Sequence, residues 1–379
     1  MNVDLLNGHR GGVARSTGEA SLGANLALPR EHALPGESPG DELGLGPLAQ
    51  LVADPAVTDV LVNGPAHVWI DRGNGLEPEP RVRFPDAQEL RRLAQRLASM
   101  CGRRLDDASP FVDARLPDGT RLHAVLPPVA VRGPYLSLRT LRRQSLSLSA
   151  LVRLGTLTPD SADLVEAIVR ARLAFVVAGG TGSGKTTLLG ALLSQVSVNE
   201  RIVVVEDSTE LAPVHPHVVS LQSRLSNVEG AGTVTLRELI RTAMRMRPDR
   251  LVVGECRGAE VVDWLGALNT GHEGGAGTLH ANAAADVPAR FEALGLLTGL
   301  SRAAVAAQVV AGLQVVLQVV RRGRVRSLHE IAVLSGWGDG IRTETAWHRL
   351  SGPGPAGPAL ALMLAERGVT VPAILGGRS

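Results

Sequence analysis

The chain has 379 residues, of which 44% are hydrophobic and 20% charged, and its formal net charge is +2. That length is more than one ordinary single-core domain needs, so two domains are expected, with ample apolar material for their cores. The near-neutral balance speaks against a protein that coats nucleic acid through a basic excess, and aromatic residues at 2% leave few platforms for stacking bases.

Residues 1–43 are rich in Gly, Ser, Pro and Ala, show no sustained periodicity, and read as a disordered tail without the apolar run of a signal peptide. The two cysteines, Cys101 and Cys256, have no metal-ligand spacing, which fits a reduced, cytosolic chain. From residue 44 the pattern changes. Stretches 57–62 and 67–71 alternate around Asn63, Gly64 and Pro65, a hairpin signal. Asp86 can cap a helix in which Leu90, Leu93, Leu97 and Met100 recur at helical spacing until Gly102. Pro117, Asp118 and Gly119 mark a second hairpin within 116–126, and 135–140 reads as a further strand. Residues 44–140 are therefore expected to form a small α+β domain, and 141–150 a linker to a second domain over 151–379.

Thr158 and Pro159 open the second domain as N-cap and first helical residue. Strands are expected at 174–178, 202–205, 218–221, 251–254 and 278–279, and helices at 185–195, 235–246 and 259–269, with Thr235 and Glu238 as a capping box. This alternation implies an α/β domain built on a parallel sheet with helices on both faces. The apolar stretch 303–320 is interrupted by Gln308, Gly312, Gln314 and Gln318, and reads as a buried helix followed by a strand rather than a membrane span.

Between the strand at 174–178 and its helix lie Gly179, Gly180, Thr181, Gly182, Ser183, Gly184, Lys185 and Thr186, followed by Thr187. This matches the P-loop pattern in the strand–loop–helix setting that the pattern requires. Four glycines let successive N–H groups turn toward phosphate oxygens, and the helix N-terminus adds partial positive charge. Lys185 would meet the β- and γ-phosphates of ATP and the Thr186 hydroxyl would sit on Mg²⁺. Lys185 is the only lysine in a chain whose other basic residues are arginines. With no second lysine to read a guanine base, a GTP switch protein is disfavoured. The strand at 202–205 ends in Glu206, Asp207 and Glu210, and that at 251–254 ends in Glu255, placing carboxylates at the strand ends that face a nucleotide crevice. Gly254 stands where many P-loop enzymes carry Asp, and His272 and His280 flank a glycine-rich segment.

Segments 111–128, 179–187, 206–211, 227–230, 244–255 and 270–282 together resemble the type II and type IV secretion and pilus ATPases, with the tight-adherence (Flp) pilus branch nearest. The resemblance spans about residues 50–335. It implies an N-terminal domain joined to a RecA-like domain, with Mg-ATP between them, in a homohexamer at the cytoplasmic face of the inner membrane, docked on polytopic platform proteins. By position it implies Glu210 as the carboxylate that orients or deprotonates water and Glu255 as the acid near Mg²⁺. His280, and secondarily His272, would sense the γ-phosphate, Arg121 and Arg139 would close on the nucleotide, and Arg241 and Arg245 would reach a neighbouring subunit's γ-phosphate. Cys256 departs from the aliphatic residue usual there, as the segment from Glu273 does from the commoner glycine pattern. The rival readings are a RecA-like nucleic-acid motor or DNA-transfer ATPase, and a nucleotide-gated ring without turnover. Strong nucleic-acid binding is not expected.

Overall fold

The computed structural model describes residues 43–73, 75–140, 145–224, 231–338 and 340–376. Nearly all of the expected tail, residues 141–144 of the expected linker, and the 227–230 motif lie outside these.

The first sheet is built from β1 (Asp59–Asn63), β2 (Val68–Asp71), β3 (Leu76–Pro78), β4 (Phe111–Arg115), β5 (Arg121–Val125) and β6 (Tyr135–Arg139). Its order is β3-β2-β1-β6-β5-β4, every pair antiparallel. Alternation puts Val60 and Val62, Leu122 and Ala124, and Leu136 and Leu138 on one face. A short helix α1 (Ala49–Ala53) and the long α2 (Ala87–Met100) cover that face. Asp86 caps α2 by accepting from the Glu89 amide at 2.7 Å, and Leu90, Leu93 and Leu97 form the apolar stripe that packs on the sheet.

Two helices, α3 (Leu148–Arg153) and α4 (Pro159–Arg170), lead into the second sheet. α3 begins inside the stretch read as linker, because Leu148 and Leu151 bury against the second core. Thr158 and Ser161 cap α4 reciprocally, as the Thr-Pro signal implied. The chain then runs through β7 (Phe175–Ala178), α5 (Lys185–Leu193), β8 (Ile202–Glu206), β9 (Val218–Gln222), α6 (Leu236–Met244), β10 (Arg250–Cys256), α7 (Glu260–Leu268) and β11 (Ala276–Leu279). It finishes with α8 (Val287–Leu296), α9 (Arg302–Gly312), β12 (Val315–Arg322), β13 (Val325–Trp337), β14 (Gly340–His348), β15 (Gly352–Pro353) and α10 (Gly357–Glu366).

The second sheet has the order β15-β14-β13-β12-β7-β11-β10-β8-β9. The six strands from β12 to β9 are parallel, as the alternation implied. The sheet is not wholly parallel: β13, β14 and β15 join antiparallel through tight connections at Gly323 and Gly338, which take left-handed φ of +60° and +57°. The C-terminal segment, in which no motif is legible, thus extends the sheet and adds α10, whose Leu360 and Leu364 are fully buried. Both faces are covered. Phe175 and Val177 of β7 point into the core with α4, α5 and α10, while Val176 and Ala178 point into the core with α6, α7 and α9. The 303–320 stretch is α9 plus β12, and no helix among the described residues is long and apolar enough to cross a membrane.

Candidate active site

Four neighbouring parallel strands deliver their C-terminal ends to one edge of the second sheet. β7 runs into the glycine loop, β11 ends at His280, β10 presents Glu255, and β8 ends in Glu206. A cleft of about 660 Å³ opens there between this edge and the antiparallel sheet. Eight cationic side chains and four carboxylates line it, an excess of positive charge suited to a polyphosphate.

The loop adopts the shape that its glycines allow. Gly182 and Gly184 have φ of +68° and +98°, a region that L side chains avoid, and a Cβ on Gly179 would lie 2.5 Å from the Val319 carbonyl oxygen. Lys185 opens α5, is 7% exposed, and donates from Nζ to the carbonyls of Gly179 at 3.0 Å and Gly180 at 3.1 Å. Burial lowers its pKa, with Glu255 pulling the other way. Ser183 Oγ is buried without a partner, an orphan hydroxyl of the kind that a bound group would satisfy. Thr181, Gly182, Ser183, Gly184, Thr186 and Thr187 line the cleft beside Lys185.

Lys185 Nζ also donates to His280 Nδ1 at 3.4 Å, and His280 Nε2 lies 2.5 Å from Glu255 Oε1. Donation from Lys185 makes Nδ1 the acceptor of a neutral ring, in keeping with burial and Lys185 lowering the His280 pKa; the Nε2–Oε1 contact itself is close but lacks hydrogen-bond geometry. Glu255 also pairs with Arg257. Glu210 is held from across the cleft: Arg121 of β5 contacts its Oε1 through Nη2 at 2.9 Å and donates from Nε to Ser208 Oγ at 3.0 Å. Arg139 of β6 lines the same wall, exposed.

Glu206 explains the glycine at 254. Its buried carboxylate accepts from the amides of Glu210 and Leu211, both at 3.1 Å, so it ties down the backbone that carries Glu210. The side chain crosses Gly254, where a Cβ would lie 2.5 Å from Glu206 Cγ. Burial, opposed by the two amide donors, pushes the Glu206 pKa from 4.5 up to about 7. The native state therefore holds a proton that the unfolded chain has released between those values, and native stability falls as pH rises through that window. Glu206→Gln keeps an acceptor for the two amides and removes the titration. Its stability relative to the unmodified protein is expected to grow between pH 5 and pH 8, by at most about 3 kcal/mol. Denaturant midpoints at the two pH values check this, and a constant difference would contradict it.

The remaining anticipated residues lie elsewhere. His272 precedes β11 at the opposite end of the strand, facing the Pro248 carbonyl at 3.3 Å, and does not line the cleft. On α6 and at its C-cap, Arg241 Nε donates to Asp263 Oδ1 at 2.8 Å and Arg245 Nη2 to Thr242 Oγ1 at 3.4 Å; both are exposed and outside the cleft of their own chain. Conversely, Arg257, Arg321, Arg324 and Arg326 line the cleft without having been singled out from the sequence. Arg257 comes two residues after Glu255, a spacing that places both on one side of an extended chain. The four arginines between 321 and 326 form a charge run legible as such.

The family model described as type II/IV secretion system protein matches residues 41–332. The chain belongs to the type II/IV secretion system protein family. A Mycobacterium tuberculosis protein that carries a provisional conjugal-transfer name is 56% identical over 331 residues, 86% of this chain and 94% of that protein. The conjugal transfer protein TrbB of Rhizobium radiobacter is 29% identical over 307 residues, 79% of this chain and 89% of TrbB. In fold, this secretion-family chain resembles the Legionella pneumophila ATPase DotB at a TM-score of 0.50 and 20% identity, over 76% of this chain and 78% of DotB. The family match ends within β13, so β14, β15 and α10 lie beyond the secretion-family segment.

Proposed function

We propose that this chain is an ATP-hydrolysing motor subunit that powers pilus assembly or protein secretion across the bacterial envelope. The observation that carries this reading is the Arg121–Glu210 contact, in which the antiparallel-sheet module grips the carboxylate facing the phosphate loop. The two domains would be 44–140 and 151–379, hinged near 141–150.

Phosphoryl transfer to water depends on positioning and charge stabilisation. Lys185 and the loop amides would hold the β- and γ-phosphates, with Arg257 facing them from beside Glu255. The Thr186 hydroxyl and Glu255 would hold Mg²⁺, which when bound would offset charge on the phosphate oxygens. Glu210 would orient and deprotonate the attacking water once Arg121 leaves it. Arg121 and Arg139 would then turn to the γ-phosphate, so closure of the first sheet on the second would switch hydrolysis on. His280, in contact with both Lys185 and Glu255, would sense the γ-phosphate.

Arg241 and Arg245, exposed on one helix, are the surface through which a neighbouring copy's nucleotide would be reached in a homohexamer. His272, at the far end of β11, lies outside the cleft of its own chain. The motor would work in the cytoplasm, peripheral to the inner membrane, against polytopic platform proteins. The full chain is expected to release phosphate from Mg-ATP and to reach the mass of six chains by light scattering with nucleotide present. A monomer without turnover under those conditions would sink the reading, and stimulation of turnover by single-stranded DNA would favour the nucleic-acid motor instead.

A further inference from the structure

β12 pairs in parallel with β7 as far as Gln318 opposite Ala178. There β7 bends into the phosphate loop, whereas β12 continues past the sheet edge with β13 as a two-stranded ribbon. The ladder between them is irregular at this point: Gln318 faces Glu330, but the next pair is Val319 with Leu328, leaving His329 as the extra residue of a bulge. A bulge bends its strand and re-aims the side chains beside it, and here the ribbon tip stands over the loop. Arg326 Nε donates to the Gly182 carbonyl at 3.0 Å. The Arg321 guanidinium lies so close that a Cβ on Gly182 would be 3.1 Å from Nη1. Arg321, Arg324 and Arg326 all line the cleft, while Arg322, exposed, does not.

We propose that the β12–β13 ribbon is a phosphate clamp: Arg326 positions the loop by holding the Gly182 carbonyl outward, and Arg321 completes a subsite for the inner phosphates of a nucleoside di- or triphosphate. The physical logic is local. Gly182 sits at φ +68° inside a turn closed by the Ser183 amide on the Gly180 carbonyl at 3.4 Å; fixing the Gly182 carbonyl with a charged donor holds that turn in one shape for phosphate. The proposal rests on the loop being a nucleotide site, and the test separates the two.

Mg-ADP and Mg-pyrophosphate are titrated calorimetrically into the full chain carrying Arg326→Ala, Arg326→Lys, Arg321→Ala or Arg322→Ala. Loss of a charge-assisted hydrogen bond predicts a roughly 10- to 100-fold weaker dissociation constant for Arg326→Ala. The factor should be the same for ADP and pyrophosphate, since the loop that Arg326 holds would meet phosphates alone. Arg326→Lys should recover part of the loss, Arg321→Ala should weaken both ligands, and Arg322→Ala should weaken neither. If Arg326→Ala fails to fold, Arg326→Lys and Arg321→Ala carry the test. Unchanged constants for the Arg321 and Arg326 variants, with binding abolished in Lys185→Ala, would overturn the clamp and leave the nucleotide site standing. Normal binding by Lys185→Ala would overturn both.

Discussion

Replacing Lys185 by alanine is expected to abolish turnover of Mg-ATP, by at least a factor of about 10²–10³. The side chain is buried at the bottom of the loop, and its ammonium group is held by two loop carbonyls and by His280. On the proposed reading it would face the far end of a triphosphate. Alanine removes the charge that offsets the transferring phosphoryl group, and it leaves His280 Nδ1 without its donor. No other lysine exists in the chain to substitute, and the cleft's arginines approach from its walls rather than from the loop itself. Phosphate release by the purified variant measures the effect directly, and near-normal turnover would remove the loop from the chemistry.

Glu210→Gln is expected to separate binding from hydrolysis. The amide keeps the size of the carboxylate and an oxygen for Arg121, so Mg-ADP should bind within a few-fold of the unmodified chain. It cannot take a proton from water, and general-base losses of this kind cost about 10²–10⁴ in rate. The backbone that carries it stays pinned, since Glu206 accepts from the Glu210 and Leu211 amides irrespective of the side chain at 210. Steady-state hydrolysis at an unchanged rate would take Glu210 out of that role and return attention to Glu255.

How much of the fold and site is legible in the sequence varies with the physics behind each feature. Caps are local, and Asp86, Thr158 and Thr235 each accept the amide that their spacing implied. Buried parallel strands announce themselves as apolar runs, so β7, β8 and β10 fall within a residue or two of their expected bounds. The loop is legible because Gly182 and Gly184 take positive φ, which few other residues could adopt there. Gly254 is different: its reason lies in Glu206, far earlier in the chain, whose buried side chain fills the space a Cβ would need. No local pattern encodes such a contact. The same holds for the arginine ribbon, which becomes interpretable only once β12 is seen beside β7. His272 looks equivalent to His280 in sequence, yet the four-residue strand β11 separates them and carries them to opposite edges of the sheet.

The most direct measurement is a calorimetric titration of Mg-ADP into the full-length chain. A glycine loop beside one buried ammonium predicts one nucleotide per chain with a dissociation constant below about 1 mM. A folded protein that gives no binding heat at that concentration would contradict it.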